Sequence, residues 1–140
     1  SPSSYLTREK TIHTLCSDPS RFATVIHPSA SVSPLARIGH NVLIMAGVVV
    51  TANAVIGDHV CILPNTVIHH DVIIGDHTLI GSGVSIAGSV KVGRNCYLGS
   101  ASSFMNNIDI GDRTLVGLGS NVIRSVPAGS KVAGNPARNL

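Results

Sequence analysis

The sequence has no tryptophan, and its 140 residues include two tyrosines and two phenylalanines. Rings therefore cannot fill a core, which must be built by repetition of Val, Ile, Leu and Ala. Charged residues are also scarce, at 12%, too few for the high-charge composition of a disordered chain. No run reaches the ~18 apolar residues that a membrane-spanning helix needs, and no signal peptide is visible. The three cysteines, Cys16, Cys61 and Cys96, form no C-x-x-C motif, and none sits beside a histidine, which gives a thiol nucleophile no support. A reduced, cytoplasmic protein is the expectation. Lys and Arg are missing from residues 38–90, a stretch that holds Asp58, Asp71 and Asp76. Residues 91–140 instead carry Lys91, Arg94, Arg113, Arg124, Lys131 and Arg138 against Asp109 and Asp112. A solvated basic end and a surface that receives an anionic ligand both fit this asymmetry.

What the chain does have is a period. Steps of six from Ile26 to Val122 meet seventeen positions, all aliphatic except Phe104. Two residues earlier runs a second frame of small or β-branched residues, among them Ala36, Ala54, Thr66, Val72, Thr78, Val90, Cys96 and Thr114. Glycine follows the aliphatic residue at 39, 57, 75, 93 and 111, and again at 81, 99 and 117, each set spaced by eighteen.

Neither a 3.6-residue helix nor two-residue alternation produces this pattern. Six within eighteen is the signature of a solenoid: each hexapeptide makes a short strand and a turn, and three of them close a triangular coil. The aliphatic residue points inward, small residues fit the corners, and the glycines are expected to supply turn conformations that side chains disfavour. Coils then stack about 4.8 Å apart, as neighbouring strands do. The predicted fold is all-β, a parallel β-helix of three faces and about five to six coils. At this length it is one domain. The expected division is an N-terminal cap or linker over 1–21, in which "YLTREKTIHTLC" makes a short helix, the β-helix over 22–126, and a Pro- and Gly-rich C-terminal cap over 127–140. Solenoids need such caps. Leu43, Met45, Val49, Val55, Leu63, Val67, Ile73 and Leu79 should face outward and make a patch too apolar to stay wet. A closed homo-oligomer would bury it, and a triangular prism suits a homotrimer.

The repeat resembles the left-handed parallel β-helix of the hexapeptide-repeat acyltransferases, and the left hand is implied by that resemblance. "FATVIHPSASV", "VIHHDVIIGD", "IAGSVKVG" and "VAGNPAR" narrow it to bacterial sugar acetyltransferases of the NeuD/PglD type, over residues 22–140. The resemblance implies transfer of acetyl from acetyl-CoA to an amine or hydroxyl of a sugar or nucleotide sugar, as a direct transfer with no metal. The partners it implies are acetyl-CoA and that acceptor, with neither nucleic acid nor membrane involved. Members of the type begin with a small Rossmann-like domain that holds the nucleotide sugar. No strand-GxGG-helix start precedes the repeats here, so either the chain is a C-terminal fragment or that domain has been lost.

Acyl transfer from a thioester needs a base near neutral pH and donors for a tetrahedral oxyanion. His70 stands two residues past inward-facing Ile68, at a prism corner, with the small Ala52 and Gly88 one coil away on either side. Spacing alone fits a polar turn residue as well as a base. The resemblance assigns His70 as catalytic base and Asp71 as the acid that modulates it, while His69 holds a position of no fixed type. It also places Leu79, Ser100 and Leu118 on the pantetheine arm and makes Gly88 N–H a candidate oxyanion donor. His59 and His77 fall in one column with Asn41 and Asn95 and read as polar turn residues. Two other functions share such folds. A γ-carbonic-anhydrase-like site needs a histidine two coils before a close pair, but Asn41 and Pro34 stand thirty-six residues before His77 and His70. A non-catalytic ice-binding scaffold needs flat rows of exposed threonine, and the outer columns here are mixed.

Overall fold

The computed structural model describes residues 3–140 and contains a solenoid of about six turns. Seventeen two-residue strands recur every six residues from Val25–Ile26 to Asn121–Val122. They fall into three parallel sheets, the faces of a left-handed triangular prism. Up to Val122, strand residues in each face pair with those eighteen further on: Leu79 lies between Cys61 and Tyr97 on the first face, Val67 between Val49 and Ser85 on the second, and Ile73 between Val55 and Lys91 on the third.

From Leu43–Ile44 to Asn121–Val122 the first residue of each strand looks outward and the second is buried. Ile44, Ile56, Ile62, Ile68, Ile74, Ile80 and Ile86 line the axis with at most 2% of their surface exposed. Burying each such side chain is worth about 1.5–3 kcal/mol. The second frame is buried as well, and its hydroxyls serve the backbone: Thr66 Oγ1 donates to Gly81 O at 2.7 Å and accepts from Val84 N at 3.3 Å, tying one corner to the next coil.

The glycines act differently from the expectation. Left-handed backbone recurs every six residues, but mostly at Asn41, Asn53, His59, Asn65, Asp71 and His77 rather than at glycine. The spacing of these positions, not their residue type, is fixed by coil closure. Gly39, Gly57 and Gly93 are required for space. A Cβ there would collide with Asp58, Asp76 and Asp112, whose carboxylates accept from His40, Asp58 and Arg94 N–H one coil earlier.

Among the described residues nothing lies beneath the first coil, so Val25 and Ile26 remain exposed. The N-terminal helix α1 (Arg8–Leu15) does not cover that end. It lies along the flank, where buried Tyr5 meets Tyr97 at 6.3 Å between centroids and the Arg8 guanidinium donates to His59 O at 3.1 Å. It partly covers the apolar patch, because Leu63 and Leu79 line a cleft beneath it, while Leu43, Val55 and Ile73 stay exposed. After Val122 the register shortens: Val126 bridges Ile110, and the strand Lys131–Gly134 pairs with Leu115–Val116. The strand Ala137–Asn139 then folds back antiparallel on its outer edge, where a free edge would invite further pairing.

Helix α1 is held by a column of left-handed corner residues. His59 and His77 stack at 4.7 Å, Phe22 meets His59 edge-on, and Glu9 accepts from Asn95 at 2.9 Å and from Arg94 at 3.1 Å. Burial, with neighbouring His59 adding to it, holds the His77 imidazole below its usual range, although Glu9 at 3.9 Å acts the other way. His77 is thus neutral at physiological pH and its contact with Glu9 is not an ion pair there. The hydrogen bond from Asn95 holds the Glu9 carboxyl below its usual range. Both groups carry a folded-state pKa below the unfolded one, so both stabilise docking above their ordinary ranges and lose it as pH falls. Hydrogen exchange in α1, corrected for intrinsic rates, is expected to accelerate as pH falls from about 7.5 to about 3.5, with His77 taking up its proton first and Glu9 below about 4.5, while the isoleucine-lined strands stay protected. Equal protection of α1 at both ends would contradict the clasp.

Candidate active site

The corner that follows the second face carries His70. Ile68 is locked inward, its neighbour His69 donates its backbone N–H to Ile86 O at 3.0 Å, and the chain turns through Asp71 at φ 58°. The turn is pinned on both sides, with Asp71 N donating to Ala52 O and Ser89 N to His70 O. His70 Nδ1 lies 2.8 Å from Asp71 Oδ2. Asp71 Oδ1 in turn accepts from Asn53 Nδ2 at 3.2 Å, one coil earlier. These two hydrogen bonds, His70 first, hold the Asp71 carboxyl below its usual range. As an ionised acceptor it selects the tautomer with the proton on Nδ1, which leaves the Nε2 lone pair free. That nitrogen faces Gly88: a Cβ added there would lie 2.6 Å from both Nε2 and Cε1. The pair is reachable from outside, with 63% of the His70 and 51% of the Asp71 side chain exposed.

The residues assigned by resemblance divide into two groups. His70, Asp71 and Gly88 come together on the edge between the second and third faces. Leu79 lies on the outer surface of the first face, in a cleft of about 580 Å³ with Ile12, Leu15, Cys61, Leu63 and Tyr97. Ser100 and Leu118 follow on the edge between the first and second faces, where Ser100 Oγ accepts from Ser82 N at 3.1 Å and Leu118 is 70% exposed. One chain therefore places these two groups apart, the first on one edge and the second on another edge and the adjoining face.

Two other histidines have local partners: Asn41 Nδ2 donates to His59 Nδ1 at 2.9 Å, and His27 pairs with Ser29 across its own turn. Among the described residues no group of three or more His, Cys, Asp and Glu side chains is placed to hold a metal ion. Asn53 was absent from the sequence reading, although its position eighteen residues before Asp71 was a signal available there.

The six-repeat bacterial transferase hexapeptide family matches residues 35–70, 53–88 and 71–103. No curated protein matches the chain in sequence. Among solved structures, PerB from Caulobacter crescentus, in complex with CoA and GDP-perosamine, is 37% identical over 85% of this chain and 57% of its own, at a TM-score of 0.84. The acetyltransferase domain of PglB from Neisseria gonorrhoeae, in complex with acetyl coenzyme A, is 27% identical over 100% of this chain and 73% of its own, at 0.92. WeeI from Acinetobacter baumannii is 28% identical over 98% and 67%, also at 0.92. This chain thus spans little more than half the length of PerB.

The Gly88 contact yields a direct test. In Gly88→Ala the added methyl must displace the exposed imidazole rather than the backbone, so the melting temperature should stay close to that of the parent. Imidazole ¹⁵N shifts should report a clean Nδ1–H tautomer in the parent and a mixture in the variant. Identical spectra would show that the ring does not lie against Gly88.

Proposed function

Because the chain belongs to the bacterial hexapeptide-repeat transferases, we propose that it moves an acetyl group from acetyl-CoA to an amine or hydroxyl of a sugar or nucleotide sugar, with His70 as general base. The observation that carries this reading is the His70–Asp71 pair, which leaves the Nε2 lone pair free on a ring edge that lies against Gly88. The comparisons support it: PerB is bound to CoA and GDP-perosamine, and the PglB domain to acetyl coenzyme A.

In this mechanism His70 Nε2 takes the proton of the acceptor N–H or O–H as the heteroatom attacks the thioester carbonyl. Asp71 holds the ring and stabilises the imidazolium that forms. Gly88 N–H is the candidate donor to the oxyanion. The tetrahedral intermediate then expels the CoA thiolate, which takes the proton from the imidazolium. The acetyl group passes directly, with no covalent enzyme intermediate.

The two separated groups of site residues support a homotrimer in which the His70 edge of one copy faces Leu79, Ser100 and Leu118 of the next, closing over exposed Val55 and Ile73. Arg124 lies on the His70 edge three coils further on, roughly 14 Å at strand spacing. It shares a cleft of about 320 Å³ with Arg138. An extended pantetheine arm that starts at His70 would bring its phosphates there.

Release of free thiol from acetyl-CoA, measured against a panel of amino sugars and sialic acid, tests the activity. His70→Ala should lose about 10²–10⁴-fold in turnover, the usual contribution of a general base. Asp71→Asn should lose less, and His69→Ala should be nearly silent. Equal losses at His69 and His70 would mean that the base is misassigned, and a fully active His70 variant would end the mechanism. Acetyl-CoA binding should weaken as salt rises. Arg124→Ala combined with Arg138→Ala should flatten that dependence, and an unchanged salt slope would remove the phosphates from this cleft.

A further inference from the structure

Asp71 lies on the surface, and an exposed carboxylate with one hydrogen bond to a neighbouring ring is free to rotate into water. Here it is not free. Oδ2 meets His70 Nδ1 at 2.8 Å, while Oδ1 is held by Asn53 Nδ2 at 3.2 Å from the coil below. Asn53 and Asp71 occupy the same corner position eighteen residues apart, and both backbones are left-handed, at φ 61° and 58°. That conformation is one that Asn and Asp tolerate better than most residues. It turns both side chains to the same side of the edge, so the amide of one coil reaches the carboxylate of the next. Asp71 N also donates to Ala52 O at 3.1 Å, so the peptides beneath the pair are in register.

We propose that Asn53 is a positioning residue for the transfer reaction: its amide fixes the Asp71 carboxylate, which in turn fixes the ring plane and tautomer of His70 and holds its Nε2 edge against Gly88. The chain Asn53–Asp71–His70 spans two coils, and it rests on the reading of His70 as the base. Asn53 touches neither acetyl-CoA nor acceptor in this account and acts through Asp71 alone.

Asn53→Gly removes the amide while keeping a residue at ease in left-handed backbone, so the fold should be retained. Turnover should fall on the order of 3- to 10-fold, the scale of one ordinary solvent-accessible hydrogen bond, with the KM for acetyl-CoA unchanged. In an Asp71→Ala background the same substitution should cost nothing further. Imidazole ¹⁵N shifts of His70 give a readout that does not need activity: the Nδ1–H tautomer of the parent should become mixed in Asn53→Gly. An unchanged His70 spectrum, or an equal loss of turnover with and without Asp71, would overturn the role of Asn53. A parent that releases no thiol with any acceptor, yet shows the tautomer change, would sink the base reading and leave the Asn53–Asp71–His70 chain standing.

Discussion

Ile68 rests between Val50 and Ile86, one coil below and one above, and the same stack repeats on all three faces. This inward column sets a register of eighteen residues that nothing else in the chain sets. Once an isoleucine is locked on the axis, the next two residues must form a corner, and the third must turn left-handed to bring the following strand onto the next face. Side chains eighteen apart then lie one above another at strand spacing. Several of the cross-coil contacts described above are instances of this rule: His77 over His59, Asp71 over Asn53, and Gly88 beside His70.

The rule also separates stability from chemistry. The axis is apolar and dry, and its residues are interchangeable aliphatics. Corners carry the polar side chains, and their backbone is already satisfied by the coils on either side. A histidine placed there costs the fold little, which frees the position for a base. The opposite holds at the His59–His77 column, where α1 covers the corner and Glu9 closes it. The same corner geometry thus serves as a clasp when covered and leaves its polar side chains accessible when open.

The sequence made the solenoid legible because a six-residue period in aliphatic residues has no other common physical source. Burial at Ile44 through Ile86 followed directly. Two things were not legible. The roles of the glycines were misjudged, since period alone cannot separate a residue needed for its torsion from one needed for space. Gly57 is small because the Asp76 side chain fills the place of its Cβ, a contact between residues nineteen apart. The path of α1 was also hidden: "YLTREKTIHTLC" predicts a helix, but nothing in it shows that Glu9 would reach Asn95. At the site, His70 and Asp71 were readable as neighbours, and Asn53 became visible only once the register of eighteen was taken as a contact map rather than a repeat.

The central claim is that a working site is assembled from two edges that one chain keeps apart, His70 from one copy and Leu118 from the next. The direct test is complementation in mixed oligomers of two differently tagged, separately inactive chains, His70→Ala and Leu118→Glu. Each mixed trimer would hold one site with both edges intact, so the account predicts recovery of about one third of the parental activity per mixed trimer. Mixed oligomers as inactive as either variant alone would contradict it.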